Sequence, residues 1–277
     1  MKKNYKNNKR RVIASFCMLF FLISSILKLI TLFSAPESSA VYSDAQNDRL
    51  WEANEKLVLI VIDGVPQKVF SDKRYYPSVN KVIKSGYLAG HHKLFTGITS
   101  TMPAVKLMAT GSTSKVTDIF QNFKAKEYLG DSLFRQLSLA GYSTRIYGDA
   151  IWYDLFKKYL KVGKVNHDKG FYNIEKSDKE IFDKLIDDDY KEDFIVVHFT
   201  GTDKAGHLYS LSDKRYIAYS RVVDGYIKKI FEKYSDYNFI LTADHGMGEN
   251  RSHASPSDPQ VSRPPILFYG GSFKKMV

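Results

Sequence analysis

The sequence predicts an α/β domain in which helices cover both faces of a mostly parallel sheet. Three aliphatic runs, residues 56–62, 194–199 and 237–242, are rich in β-branched side chains, and each ends close to a carboxylate. Such runs are typical of strands buried on both faces, and their alternation with helical patterns indicates parallel strands. The 277 residues, 44% of them hydrophobic, contain no internal repeat and suit one core.

The chain begins with a membrane signal. Residues 1–11 carry six basic side chains and no acid, and residues 12–33 are apolar over about the length needed to cross a bilayer. Positive charge before the span predicts a cytoplasmic N-terminus, a single-pass signal anchor and an exported remainder. The alternative is a signal peptide cleaved near residues 38–40. Because the basic N-terminus accounts for much of the net charge of +11, the charge does not indicate nucleic-acid binding.

Beyond the anchor, residues 34–55 are predicted to be a polar spacer, and residues 56–277 the folded domain. The only cysteine, Cys17, lies inside the span, so no disulfide can stabilise the exported part. Between the predicted strands, residues 132–140 and 215–233 have apolar positions at helical spacing.

Acidic and imidazole side chains follow the predicted strands, at the edge of the sheet where functional groups of parallel sheets collect. Asp63 follows the first run, and Asp203 and His207 follow the second, with Gly206 predicted to allow a tight turn between them. The third run leads to further residues of the same types, Asp244, His245 and His253. Six oxygen and nitrogen ligands suffice for two three-ligand centres of the kind that zinc occupies in catalytic sites. A pair of ions would assist an in-line phosphoryl displacement.

Several motifs resemble the alkaline phosphatase superfamily and, within it, the GPI ethanolamine phosphate transferases, most closely the type that acts on the second mannose. The resemblance runs from about residue 56 to residue 270. It rests on Ile62-Asp63, Thr99-Ser100-Thr101-Met102-Pro103, Leu107-Met108-Ala109-Thr110-Gly111-Ser112, Tyr147-Gly148-Asp149 with Trp152 and Leu155-Phe156, Asp203 with Gly206-His207, and Asp244-His245-Gly246-Met247.

The resemblance implies an alkaline-phosphatase-like fold and a threonine nucleophile, Thr101, with Thr99 as the second choice. One metal centre would be formed by Asp63, Thr101, Asp244 and His245, and the other by Asp203, His207 and His253. The ions would be two divalent cations, zinc in the first place and manganese as the alternative. Coordination to a metal would activate the hydroxyl, which is a poor nucleophile by itself.

The implied reaction moves phosphoethanolamine from phosphatidylethanolamine to a mannose of a GPI precursor through a covalent threonine intermediate. The domain would face the endoplasmic reticulum lumen from the membrane, or in a bacterium the periplasm from the inner membrane. The family continues into many membrane helices, whereas this chain ends at Val277. We therefore expect a short form, a fragment, or one half of a complex with a membrane-embedded subunit.

Two alternatives stay open. The family pattern Asp-Ala-Leu-Arg is replaced here by Asp63-Gly64-Val65-Pro66, and Asp-Gly is common among nucleotide pyrophosphatases and phosphodiesterases, so a hydrolase is the first alternative. The second is a non-catalytic subunit of a GPI-modifying complex.

Other polar residues are assigned structural roles. Adjacent His91 and His92 would point to opposite faces of an extended segment and share no ion. His198 is predicted to be a hydrogen-bonded core histidine. Solvated positions are predicted for His167 and residues 187–189, and the glycosylation sequence at residues 250–252 is expected to be unused. Asp149 and Trp152 suit a turn and its anchor as well as a substrate contact.

Overall fold

The computed structural model describes residues 55–87, 89–92, 99–112, 126–167 and 174–273. The predicted basic N-terminus, membrane anchor and all but the last residue of the spacer lie outside these ranges. Within them, no helix combines the length and the apolar character that a membrane span requires.

Seven strands form one mixed sheet in the order β2-β7-β6-β1-β5-β3-β4. Strands β6, β1, β5, β3 and β4 are parallel, while β7 runs antiparallel to both β6 and β2. The strands are β1 Leu57–Ile62, β2 Ala89–His91, β3 Thr144–Asp149, β4 Lys161–Asn166, β5 Phe194–Phe199, β6 Asn238–Thr242 and β7 Pro265–Tyr269.

Helices pack on both faces of the sheet, as predicted. In chain order, the described residues form α1 Gln67–Phe70, α2 Pro77–Lys84, α3 Thr101–Thr110, α4 Leu133–Leu139, α5 Ala150–Phe156, α6 Ile174–Asp187, α7 Gly201–Leu208, α8 Lys214–Lys233 and α9 Pro259–Ser262. In β1, Ile60 and Ile62 belong to the core under α2, α6 and α8, whereas Val61 belongs to the core under α3, α4 and α5. Each fully buried aliphatic side chain of this kind stabilises the fold by about 1.5–3 kcal/mol.

The three predicted strands and two predicted helices are confirmed, with ends that move by one residue. Helix α4 begins after Ser132, whose hydroxyl accepts the N–H of Arg135 at 3.2 Å. Helix α8 begins after Asp213, whose carboxylate accepts the N–H of Arg215 at 2.8 Å. Both are ordinary N-caps, which satisfy N–H groups that the helix itself leaves without a partner.

The prediction that residues 187–189 are solvated is wrong for Asp188. This carboxylate is 7% exposed, accepts the hydroxyl of Tyr147 at 2.9 Å and pairs with Lys184. Tyr147 lies on β3, a strand that is buried at every residue although its sequence contains no aliphatic run. Asp188 is therefore held by a local ion pair with Lys184 and by a hydrogen bond from a strand about forty residues earlier in the chain.

Candidate two-metal centre

Three neighbouring parallel strands, β6, β1 and β5, bring the predicted ligands to one edge of the sheet. Asp63 directly follows β1, Asp244 lies two residues after β6, and α7, which follows β5, carries Asp203. The candidate residues Asp63, Thr101, Asp203, His207, Asp244, His245 and His253 all lie in this cluster.

The first half of the cluster surrounds His245. Its Nε2 atom lies 3.4 Å from Asp63 Oδ1 and 3.4 Å from Asp244 Oδ2. The other oxygen of Asp244 accepts the backbone N–H groups of Gly64 at 3.2 Å and His245 at 2.8 Å. These two hydrogen bonds hold the carboxylate with Oδ2 turned towards the imidazole.

The second half surrounds Asp203. Its Oδ2 atom lies 3.4 Å from His207 Nε2, and its Oδ1 atom lies 3.7 Å from His253 Nε2. The predicted turn at Gly206 is wrong, because Asp203 and His207 lie one helical turn apart on α7. A Cβ atom at Gly206 would lie 3.0 Å from Met247 Cε, so the glycine serves close packing of α7 on the His245 loop.

The three imidazoles share one orientation. Nδ1 of His207 lies 2.9 Å from the carbonyl oxygen of Arg251, and Nδ1 of His245 lies 3.1 Å from that of Gly246. Nδ1 of His253 contacts the carbonyl oxygen of Thr99. Because a carbonyl oxygen only accepts, Nδ1 carries a proton in each ring, and in the neutral ring Nε2 presents a lone pair to the carboxylates.

This arrangement fits divalent cations. Lone pairs of Nε2 atoms face carboxylate oxygens at 3.4–3.7 Å, which is repulsive unless a cation lies between them. Ligands bound tetrahedrally to zinc at its usual distances lie roughly 3.3–3.6 Å from one another. Four buried atoms of the cluster, Asp63 Oδ1, Asp203 Oδ1, Asp244 Oδ2 and His245 Nε2, have no hydrogen-bond partner in the described part of the chain. The donor set is therefore that of a metal centre.

The electrostatics of Asp63, Asp244 and His253 agree with this conclusion, while the hydrogen bond to Asp203 raises the pKa of His207. Burial, followed by the charges of Asp244 and Asp203, raises the pKa of Asp63 well above its ordinary value. Burial also raises the pKa of Asp244 to about 6 and lowers the pKa of His253 to about 4. Buried carboxylates this close repel one another, and a divalent cation would offset that repulsion. The low pKa of His253 keeps its imidazole neutral, as a metal ligand must be.

Of the two candidate nucleophiles, Thr101 is the one directed at the cluster. It is the first residue of α3, and its hydroxyl donates to Asp63 Oδ2 at 3.3 Å. The Thr99 hydroxyl instead donates to the carbonyl oxygen of His253, and its side chain is buried. The N-cap residue of α3, Ser100, makes no side-chain hydrogen bond to the first turn, and such a helix N-terminus favours an anion.

His198 and Trp152 lie beside the cluster, and the prediction of a hydrogen-bonded core histidine at His198 is confirmed. His198 is fully buried on β5, and its Nε2 atom lies 3.6 Å from Asp63 Oδ2. The indole Nε1 of Trp152 donates to His198 Nδ1 at 3.0 Å. Asp149 accepts the N–H of Ile151 at 2.7 Å and so caps α5, which agrees with the predicted turn.

The remaining histidines lie elsewhere. His92 contacts the hydroxyl of Thr242 at 3.1 Å, while His91 and His167 are exposed, so the adjacent pair shares no site. Asn250, in the glycosylation sequence, is exposed and lies beside Arg251, whose carbonyl orients His207.

The fold and the site together define a metal-dependent α/β enzyme domain, and residues 55–276 match the metalloenzyme superfamily. The chain belongs to this superfamily, so the alkaline-phosphatase-like resemblance of its motifs is confirmed. It is 26% identical to the human GPI ethanolamine phosphate transferase 2, catalytic subunit, over 84% of this chain and 25% of the relative. It is 27% identical to the human GPI ethanolamine phosphate transferase 3, catalytic subunit, over 61% of this chain and 16% of the relative. The chain thus spans about a quarter of the first relative's length.

Solved structures show the same fold. The C-terminal periplasmic domain of EcEptC from Escherichia coli superimposes with a TM-score of 0.53 at 14% identity, covering 81% of this chain and 75% of that domain. BT1596, a 2-O GAG sulfatase, gives a TM-score of 0.53 at 12% identity over 80% of this chain and 65% of that chain. At these identities the likeness concerns the fold alone.

Proposed function

We propose that this chain is the catalytic domain of a metal-dependent phosphoethanolamine transferase with Thr101 as its nucleophile. The observation that carries the proposal is the hydroxyl of Thr101, which lies at a helix N-terminus and donates to Asp63, in a cluster of three carboxylates and three oriented imidazoles that is partly buried. The names of the curated relatives support the choice of the transferred group.

The donor in this proposal is phosphatidylethanolamine, and the acceptor is a mannose hydroxyl of a GPI precursor. Thr101 Oγ1 forms a bond to phosphorus while the bond from phosphorus to the diacylglycerol oxygen breaks, and the proton of Thr101 passes to that oxygen. The mannose hydroxyl then attacks phosphorus, the bond to Thr101 breaks, and the mannose proton returns to Thr101. Each step exchanges one phosphorus–oxygen bond for another, so no oxidant or reductant is needed.

The residues divide into two centres. Asp63, Thr101, Asp244 and His245 would hold one divalent cation, and Asp203, His207 and His253 would hold the other, with zinc the best match to the mixed nitrogen and oxygen donors. Bound cations would supply charge neutralisation and lower the pKa of the Thr101 hydroxyl. Asp63 accepts the hydrogen bond of that hydroxyl and aims it, while the N-terminus of α3 would favour the anionic phosphoryl group.

A lipid donor and a glycolipid acceptor place the reaction at a membrane surface. We propose that residues 12–33 anchor the domain in the endoplasmic reticulum membrane with the catalytic domain in the lumen, or in a bacterial cell in the inner membrane with the domain in the periplasm. A membrane-embedded partner subunit would then present the acceptor. Residues 55–277 should be protected from added protease in sealed microsomes or, in a bacterium, protected in intact cells and digested in spheroplasts.

The test of the activity uses the full chain in detergent with phosphatidylethanolamine labelled in its headgroup and a mannose-containing GPI precursor. We expect label on the acceptor, and, when the acceptor is omitted, a phosphoethanolamine adduct on the peptide that contains Thr101. With zinc in excess, so that the loss of one ligand does not empty the centre, Thr101→Ala should lose both signals, and Thr101→Ser should retain part of the turnover.

Other outcomes identify the alternatives. Release of free phosphoethanolamine or of a nucleotide monophosphate from simple diesters, with no gain from the glycan, would establish a hydrolase. Full cellular function of a folded Thr101→Ala variant would establish a non-catalytic subunit and refute the proposal.

A further inference from the structure

A fourth imidazole lies against the carboxylates of the proposed metal centre. Nε2 of His198, Asp63 and Asp244 are close enough together to surround an ion, so proximity alone would make His198 a ligand. His198 is fully buried, and Trp152, which contacts it, is 1% exposed. The hydrogen-bond partners of the ring therefore come from protein atoms, and they decide its role.

The indole of Trp152 determines which nitrogen of His198 carries the proton. An indole N–H only donates, so Nδ1 of His198, 3.0 Å away, must accept. A neutral imidazole with an accepting Nδ1 carries its proton on Nε2, the atom that faces Asp63 Oδ2 at 3.6 Å. His198 therefore presents an N–H group to Asp63, where a metal ligand would present a lone pair.

The three other imidazoles of the cluster have the opposite arrangement. Nδ1 of His207, His245 and His253 lies against a carbonyl oxygen, which leaves each Nε2 as an acceptor. The hydrogen-bond partner of Nδ1 thus separates three ligands from one donor, although all four Nε2 atoms face carboxylates.

We propose that His198 is a positioning residue that directs its Nε2–H towards Asp63 and binds no metal ion, and that Trp152 imposes this tautomer. The inference rests on the proposed function, since it concerns the carboxylate that contacts Thr101. Asp63 Oδ1 faces His245 at 3.4 Å, and Asp63 Oδ2 faces both Thr101 at 3.3 Å and His198 at 3.6 Å. The His198 N–H group on the Oδ2 side keeps the Asp63 carboxylate oriented, with one oxygen towards His245, the proposed metal ligand, and the other towards Thr101, the proposed nucleophile.

The direct test is nitrogen-15 NMR of the full chain in detergent, with labelled histidine and cadmium-113 as the bound ion. We expect scalar coupling between cadmium and Nε2 of His207, His245 and His253. The fourth histidine of the site, assigned by the disappearance of its signals in His198→Gln, should show a protonated Nε2 and no coupling. Coupling of cadmium to His198 Nε2, or a proton on its Nδ1, would overturn the proposal.

Variants separate positioning from packing. His198→Gln keeps an N–H donor near the Nε2 position and should retain most of the zinc affinity, whereas His198→Leu should lower it roughly 10–100-fold, the range typical of groups that orient metal ligands. Trp152→Phe keeps an aromatic ring without its N–H, and should give His198 signals of both tautomers. Equal zinc affinities of folded His198→Gln and His198→Leu would contradict a donor role.

These readouts are independent of transfer activity. If the coupling pattern holds but no phosphoethanolamine is transferred, the proposed function fails while the role of His198 stands. If transfer is observed but His198 couples to cadmium, the role of His198 fails and the proposed function stands.

Discussion

At the scale of single residues, the positions of the candidate metal ligands depend on neighbouring residues that are not ligands themselves. Thr99 makes two contacts with His253: the Thr99 carbonyl oxygen contacts His253 Nδ1, and the Thr99 hydroxyl donates to the His253 carbonyl oxygen. These contacts join the segment before α3 to a proposed metal ligand. Gly64 brings the backbone after β1 against Asp203. Both residues are positioned to change metal binding without touching an ion.

Gly64→Ala should weaken metal binding. Gly64 has a φ of 70°, which disfavours a side chain, and a Cβ atom there would lie 2.6 Å from Asp203 Oδ1 and 2.9 Å from its Cα. The displaced carboxylate should lower zinc affinity at the Asp203 centre roughly 10–100-fold, measured by competition with a chelating dye. Gly225→Ala is the control, because nothing lies within 4 Å of its Cβ position on α8, and it should be neutral or stabilising by about 0.5–1 kcal/mol. Equal zinc affinity of the two variants would contradict the steric argument.

Substitutions of Thr99, which lies before α3, and of Thr101, its first residue, should differ in whether excess zinc restores turnover. Thr99→Val removes the hydroxyl that donates to the His253 carbonyl, so we expect weaker zinc binding and turnover that recovers when zinc is supplied in excess. Thr101→Val removes the proposed nucleophile and should stay inactive at every zinc concentration. Titration of turnover against zinc distinguishes the two, and an inactive Thr99→Val at saturating zinc would mean that the nucleophile is misassigned.

At the scale of secondary structure, α7 depends on a residue of another helix. Asp178 on α6 is fully buried and accepts the N–H groups of Thr200 and Gly201, each at 3.0 Å, and the Tyr219 hydroxyl at 2.7 Å. The Asp178 carboxylate lies at the N-terminus of α7 and satisfies N–H groups that the helix itself leaves without partners. Asp178 therefore helps to position the helix that carries Asp203 and His207.

Asp178→Asn should change how stability depends on pH. Burial raises the pKa of Asp178 from 3.8 to about 6, with the hydrogen bonds of Tyr219, Gly201 and Thr200 opposing it. A carboxyl whose pKa is raised by folding contributes stability below its unfolded pKa, and that contribution is lost as the pH rises through the folded value. Between about pH 4 and pH 6, the wild-type free energy of unfolding should therefore fall relative to that of the variant.

The Asp178→Asn substitution should also lower the free energy of unfolding directly. Asparagine offers a single acceptor oxygen where the ionised carboxylate offers two, so at least one of the three donors loses its partner, at a cost of about 1–3 kcal/mol. Denaturant unfolding at several pH values, with zinc present throughout, measures both effects. Asp183→Asn is the matched control, because this half-exposed residue of α6 pairs with Lys179 at the surface and should shift stability by less than about 1 kcal/mol. Identical pH slopes for wild type and Asp178→Asn would contradict the prediction.

At the scale of the whole molecule, the parallel order β6-β1-β5 gathers three carboxylates at one edge of the sheet. The same order that buries β1 between two neighbours thus concentrates negative charge at its carboxyl end. A fold that places Asp63, Asp203 and Asp244 together gains stability from cations that bind there, because the cations offset the mutual repulsion.

Removal of the metal should therefore lower the thermal stability of the whole domain. A ligand present at a hundred times its dissociation constant stabilises the folded state by about 2.7 kcal/mol, which for a domain of this size corresponds to a Tm shift of about 5–10 °C. Calorimetry of the purified chain before and after EDTA treatment measures the shift, and EDTA preloaded with zinc is the control. An unchanged Tm, with zinc shown to have been removed, would mean that the cluster holds no stabilising ion.

Part of the fold was predictable because it is encoded locally. The run around Ile60 is apolar at every position, which only a strand covered on both faces tolerates, and the amphipathic pattern of α8 is typical of a helix on such a sheet. Strand β3 has no such signal, since its sequence includes Thr144, Arg145 and Asp149, yet every residue in it is buried. Its polar side chains are paired by distant partners, such as Glu192 for Arg145 at 2.6 Å.

The amino-acid sequence by itself determined the strand runs, their order relative to the helices, and the identity of the acidic and imidazole residues at the strand ends, because these follow from local hydrophobicity and motif spacing. Only the tertiary structure decided that Asp203 and His207 lie on a helix and that the hydroxyl of Thr101 faces Asp63. It also showed that His198 Nδ1 accepts from an indole, whereas Nδ1 of each of the three proposed ligands lies against a carbonyl oxygen. For His198, His207 and His253 the physical reason is distance along the chain, because the group at Nδ1 comes from a remote segment and sets where the ring can accept.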